Sequence, residues 1–212
     1  GARSQRFRLD EKARLYDMVA DPGQKTDVSG EHPEIRARLL DAVETHRKSF
    51  MATYAEDSRP FVIAHPGAPL TQLPARDGVA HGTIRRSNKF PNCSYFRNWT
   101  STGDKITFAA EVAASGRFRV VLYYAAREAG AKCELTFNQS TLAFEIAEAH
   151  DVPEVGAERD LHPRQESYVK EFRAVTIGEI ELVKGTGELT LQATEIPGRE
   201  AMEFRLLTLE RL

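Results

Sequence analysis

Six histidines, two cysteines and a cluster of amides and aromatics at positions 92–99 are the residues of this 212-residue chain able to do more than pack. No two of the histidines, at 32, 46, 65, 81, 150 and 162, stand at the i, i+4 spacing that turns two imidazoles toward one metal on a helix. Nor does the chain contain a G-x-S-x-G elbow, a P-loop or a dinucleotide fingerprint. A metal set is nearest in the polar stretch from His150 to Glu166, where His150 and Asp151 are followed by Asp160 and His162. Carboxylate oxygens there suit Ca²⁺, and imidazole with carboxylate suits a transition metal. The plainer reading is a solvated excursion packed by Val152, Val155 and Leu161, the commoner outcome for a charge-rich loop.

A second constellation is Asn92, Tyr95, Phe96, Asn98 and Trp99, with Arg85, Arg86 and Lys89 close by in sequence. Aromatic faces stack on the C–H patches of sugars, planar amides bond paired hydroxyls, and guanidinium groups recognise sulfate. Tyr95, Asn98, Trp99, Arg85 and Arg86 are therefore candidate carbohydrate-binding residues. The competing reading makes Trp99, the only tryptophan, a cap on a core, and makes the arginines an ordinary solvated patch.

The elements that must position these residues are mostly strands. Ile106, Phe108, Ala110 and Val112 alternate, then Phe118, Val120, Leu122 and Tyr124 after a turn at Gly116. Cys133, Leu135 and Phe137 follow, then Leu142, Phe144 and Ile146, with Asn138-Gln139 between them. Beyond the polar loop come Val175 with Ile177, Ile180 with Leu182, Leu189 with Leu191, and Phe204, Leu206 and Leu209. Short alternating segments at regular spacing predict an antiparallel β-sandwich of about eight strands over residues 85–212. Cys133 falls on the apolar phase, so a buried free thiol is expected, with a Cys93–Cys133 bridge as the alternative.

Residues 58–84 hold Pro60, Pro66, Pro69 and Pro74 with Gly67, Gly78 and Gly82, which predicts an extended connector with one short strand at Phe61-Val62-Ile63. Before it, residues 1–57 predict a β-hairpin and one helix. The hairpin ends at Tyr16 or Met18, and in the turn Asp21-Pro22-Gly23 the glycine takes the positive φ. The helix opens at Pro33, with Glu31 and Glu34 near its positive end, and carries an apolar stripe of Ile35, Leu39, Val43, His46 and Phe50 to about Met51. The expected fold class is thus mainly β: an antiparallel jelly-roll β-sandwich with a small N-terminal α+β segment.

Two resemblances follow from quotable strings. Leu15-Tyr16-Asp17-Met18-Val19-Ala20-Asp21-Pro22-Gly23-Gln24-Lys25-Thr26-Asp27-Val28, then His32-Pro33-Glu34, resembles the tail subdomain of sulfatases, where "ELYDL..DPGE..D(L/V)...HPE" leads into the last helix. Residues 95–212 more weakly resemble galactose-binding-like jelly rolls, the group that includes carbohydrate-binding modules of families 6 and 35. There the stretch from Asn98-Trp99-Thr100 to Tyr124 matches "aG.Y.v.v.ya", with Phe118 in place of the usual Tyr, and Lys184-Gly185-Thr186-Gly187 to Ala193 matches "kG.g.l.l.a".

The sulfatase resemblance implies a catalytic domain that uses a formylglycine, made within C/S-x-P/A-x-R, beside Ca²⁺. Cys93 is followed by Ser94-Tyr95-Phe96-Arg97 and Cys133 by Glu134-Leu135-Thr136-Phe137, so neither fits, and Ser4 and Ser58 also fail. The chain itself is expected to be non-catalytic and to hold no cofactor. The resemblance makes it the C-terminal region of a secreted or periplasmic sulfatase, partnered by the parent catalytic domain and by sulfated polysaccharide. The alternative is a purely structural or protein–protein sandwich without sugar affinity. A formal charge of −2 argues against nucleic acid or a membrane surface as partner, and no apolar run approaches the roughly 18 residues of a spanning helix. The triplets at Asn92, Asn98 and Asn138 satisfy N-glycosylation spacing, which short sequences often do by chance.

Overall fold

The computed structural model describes residues 1–56 and 59–212, which fall into two compact units, Gly1–Arg59 and Pro60–Leu212. The expected boundary at 57/58 lies outside the described residues.

In the first unit, β1 (Ala2–Arg3), β2 (Phe7–Leu9) and β3 (Leu15–Asp17) form an antiparallel sheet, so the expected hairpin carries a third strand. The helix α1 spans Pro33–Glu56, with proline at its first position as its fixed φ favours. Phe7, Leu9, Leu15 and Leu39 form the core, with Ile35 and Val43 packed against it. Farther along the predicted stripe His46 and Phe50 are exposed, because the short sheet meets only the first turns of the helix. In the Asp21-Pro22-Gly23-Gln24 turn the positive φ falls on Gln24 (56°), not on Gly23. Asp21 accepts from the backbone N–H of Lys25 and Thr26 at 2.6 and 2.8 Å, which draws the chain round after the glycine.

The second unit is a two-sheet antiparallel jelly-roll sandwich. Its strands are β4 (Phe61–Ile63), β5 (Leu70–Pro74), β6 (Val79–Ala80), β7 (Arg85–Arg86), β8 (Phe96–Arg97), β9 (Lys105–Val112) and β10 (Gly116–Ala125). They continue as β11 (Lys132–Phe137), β12 (Ser140–Glu145), β13 (Glu154–Val155), β14 (Val169–Lys170), β15 (Arg173–Leu182), β16 (Gly185–Glu195) and β17 (Glu203–Arg211). One sheet runs β15-β10-β17-β8-β7, with β5 also on β17; the other runs β12-β11-β16-β9-β4, with β6 also on β9. Among the described residues only β4 pairs in parallel, with β9.

The alternating residues named from sequence form the core between the sheets: Ile106, Phe108, Ala110 and Val112 face Phe118, Val120, Leu122 and Tyr124, with Cys133, Leu135 and Phe137 beside them. From residue 59 to 84 the chain is mostly extended apart from one 3-10 turn at Ala75–Asp77, and β4, β5 and β6 stitch that segment into both sheets. Pro60 and Pro69 stand just before β4 and β5, and Pro74 ends β5, strand-end positions that suit a residue with no N–H to give. The pairs Val175/Ile177 and Ile180/Leu182 lie on one ten-residue strand, bulged opposite Val120-Val121 at Gly178 (φ 139°). A Cβ at Gly178 would meet Leu142 Cδ1 at 2.8 Å, so glycine lets β12 of one sheet close against β15 of the other.

Candidate functional site

Strand β17 forks. Its central and C-terminal residues pair with β5, while Phe204 near its start pairs with Phe96 of β8. At the fork Arg85 of β7 and Arg97 of β8 are directly opposed partners. Cross-strand neighbours on one face hold their Cβ atoms about 5 Å apart, and like charges placed so repel. Together with Asn98, Arg127, Glu200 and Glu203 these two arginines line an open cleft of about 340 Å³.

Local chemistry fixes each member. Gly82 (φ 74°) lies against Asp104, where a Cβ would come within 1.8 Å of a carboxylate oxygen. Asp104 is buried and accepts from the Thr83 N–H at 3.0 Å, which sets the entry to β7. Arg85 Nη1 then donates to the carbonyls of Gly82 and Ile84 at 2.7 and 2.8 Å. Asn98 takes φ 62°, common enough for asparagine, and its amide donates to the Thr83 carbonyl at 2.7 Å. Arg127 Nε lies 3.7 Å from Glu200, and Lys170 Nζ lies 2.6 Å from Glu203. The cleft can therefore supply guanidinium donors to an anion and carboxylate acceptors to hydroxyls.

Of the residues singled out from sequence, Arg85 and Asn98 line this cleft and the others do not. Trp99 is 1% exposed in the sandwich core, and its Nε1 has no hydrogen-bond partner. Tyr95 is 2% exposed; its hydroxyl donates to Glu154 Oε1 at 2.8 Å, and burial followed by that carboxylate pushes its pKa up. Neither ring presents a face to a ligand. Arg86 turns inward, donating to the Ala75 carbonyl at 3.2 Å and to Ser94 Oγ at 3.1 Å over the Phe96 ring. Sequence reasoning passed over Arg97, which stands beside Asn98 within the singled-out stretch, and missed Arg127, Glu200 and Glu203, which come from distant segments that no motif links.

The proposed metal residues are not gathered. His150 Nε2 donates to the Glu171 carbonyl at 2.6 Å, Asp160 lies 3.7 Å from Arg164, and Asp151 and His162 are exposed. Among the described residues no group of three or more His, Cys, Asp or Glu side chains is placed to share an ion. The loop is instead a strap in which β13 pairs with β14, tied down by Ser167 to Ser87 (2.8 Å) and by the Asn88 amide to the Gln165 carbonyl (2.8 Å). Both cysteines are free thiols, and burial pushes Cys133 up to about 12. No helix among the described residues is long and apolar enough to cross a membrane.

No family model matches the chain, and no curated protein matches it. Among solved structures it is similar to the mosquito-larvicidal Cry4Aa toxin of Bacillus thuringiensis, with a TM-score of 0.50 and 10% identity over 68% of this chain and 23% of the toxin. It is also similar to a GH26-CBM35 β-(1,4)-mannanase of Podospora anserina, with a TM-score of 0.48 and 16% identity over 68% of this chain and 28% of that one. A family 35 carbohydrate-binding module of Clostridium thermocellum gives a TM-score of 0.45 and 12% identity over 68% of this chain and all of the module (100%). The match spans well under two thirds of the mannanase, and identities this low speak for fold alone.

Proposed function

We propose that this chain is the non-catalytic C-terminal region of a secreted or periplasmic sulfatase, and that its sandwich binds sulfated carbohydrate for the parent enzyme. The sulfatase origin rests on the Leu15–Val28 string and the His32-Pro33-Glu34 helix start. Formylglycine, Ca²⁺ and sulfate-ester hydrolysis belong on this reading to the parent catalytic domain, the chain's partner. Tethered binding raises the local concentration of polymer at that domain without adding a catalytic group.

The observation that carries the binding reading is the cross-strand opposition of Arg85 and Arg97 in a cleft shared with Arg127. Opposed like charges cost stability, and a bound anion converts that cost into affinity. Affinity electrophoresis through dextran sulfate and through unsulfated dextran tests it. The chain is expected to be retarded by the sulfated gel, and Arg97→Ala to weaken retardation about tenfold, the value of one charge-assisted hydrogen-bonding group. Unretarded wild-type protein would contradict the reading.

A structural or protein–protein sandwich without sugar affinity has one observation on its side: no aromatic ring lines the cleft. Equal mobility in both gels favours that alternative.

A further inference from the structure

We infer that Lys170 is the residue that sets the charge preference of the cleft, acting through Glu203. The inference rests on the carbohydrate-binding reading and says how that site discriminates anionic from neutral sugars.

Lys170 reaches the cleft from outside it. It sits on β14, and the strap that carries it is fastened to the segment before β8 by Tyr95, whose hydroxyl bonds Glu154 and whose ring packs edge-on against Phe172 at 5.3 Å. Lys170 Nζ lies 2.6 Å from Glu203, with the two side chains only 12% and 13% exposed, and 5.6 Å from the Tyr95 ring centre. This is not a solvated surface pair. Glu203 also lines the cleft, and Lys170 does not.

The charges around Glu203 make the consequence concrete. Arg85, Arg97, Arg127 and Glu200 line the same cleft as Glu203, and Arg127 Nε lies 3.7 Å from Glu200. Without Lys170, three guanidinium groups would face two carboxylates, and Glu203 would compete with an incoming sulfate for the arginines. With Lys170 behind it, Glu203 is neutralised from the rear. Its remaining lone pairs can then accept sugar hydroxyls while the opposed pair Arg85 and Arg97 stays available to an anion. A unit charge within about 8 Å of a bound sulfate, at the effective dielectric of a protein surface, changes affinity roughly three- to tenfold.

The test compares retardation by dextran sulfate with retardation by unsulfated dextran for the whole chain at pH near 7. Lys170→Met is expected to lower the sulfated-to-unsulfated ratio about three- to tenfold, and Lys170→Arg to leave it unchanged. The double variant Lys170→Met/Glu203→Gln removes both charges and is expected to recover the wild-type ratio. A merely structural lysine would change retardation by both gels alike and leave the ratio where it was. Because an unpaired buried carboxylate weakens the fold, circular-dichroism melts accompany each variant, and the double variant keeps the test decisive if Lys170→Met unfolds. A folded Lys170→Met protein with the wild-type ratio, or a folded double variant without recovery, overturns the inference while leaving the binding reading intact. Wild-type protein retarded by neither gel overturns both.

Discussion

Arginine and aromatic residues divide the labour at this end of the sandwich in a way that their spacing alone does not reveal. Arg85 and Arg86 are neighbours in sequence, yet strand alternation sends the first to the cleft and the second inward onto Phe96. The same alternation places Phe96 in the core and Arg97 in the cleft. Trp99 fills core volume, so Trp99→Ala is expected to cost about 3–5 kcal/mol, read as a large fall in the melting temperature of the sandwich. A Trp99→Ala protein with an unchanged melt and lost sugar binding would instead make the indole a ligand contact. Cys133 carries a matching prediction. Buried, with its thiol pushed up to about 12, it should resist a thiol reagent at neutral pH until denaturant is added, while half-buried Cys93 reacts first.

Elements were legible from sequence wherever one face of a strand is continuously buried. The alternation in β9, β10 and β11 marked both the strands and the core residues. It failed for β5–β8, which are two to five residues long and interrupted by proline and glycine, too short for a period of two to register, whereas the apolar run Phe61–Ile63 marked β4. It also failed for β13 and β14, where two-residue pairing inside a polar loop leaves no pattern. In the N-terminal unit, helix periodicity located α1, but only its first half gained a partner in the short sheet.

That unit also depends on a charge. Arg6 hydrogen-bonds Asp17, and the N–H groups of Val19 and Ala20 add to it, so the carboxyl is lowered from 3.8 to about 2. A depressed carboxyl pKa contributes stability fully above the unfolded value and loses it as pH falls through the folded one. The helical circular-dichroism melt is therefore expected to fall between about pH 4 and about pH 2, and Asp17→Asn to flatten that slope. An unchanged slope in Asp17→Asn would remove Asp17 from the acid response.

At the scale of the whole molecule, the jelly-roll class was readable because it depends on repeated local alternation. The site was only half readable because it depends on topology. Arg85 and Asn98 sit in the stretch that drew attention, but Arg127, Glu200 and Glu203 reach the same cleft from distant segments. Neither composition nor motif joins such residues; strand order does. On the proposed reading the chain binds and does not hydrolyse. Purified protein supplied with Ca²⁺ is expected to show no turnover of an aryl sulfate above blank, and turnover abolished by a substitution within this chain would contradict that.

On the proposed reading, the forked end of β17 is a receptor for sulfated sugar. Titration of isotope-labelled protein with a short dextran sulfate fragment, followed by amide and guanidinium NMR shifts, tests it most directly. Saturable shifts are expected at Arg85, Arg97, Asn98 and Arg127, and none with the unsulfated fragment. Shifts scattered over other arginines, or none at saturating fragment, would contradict it.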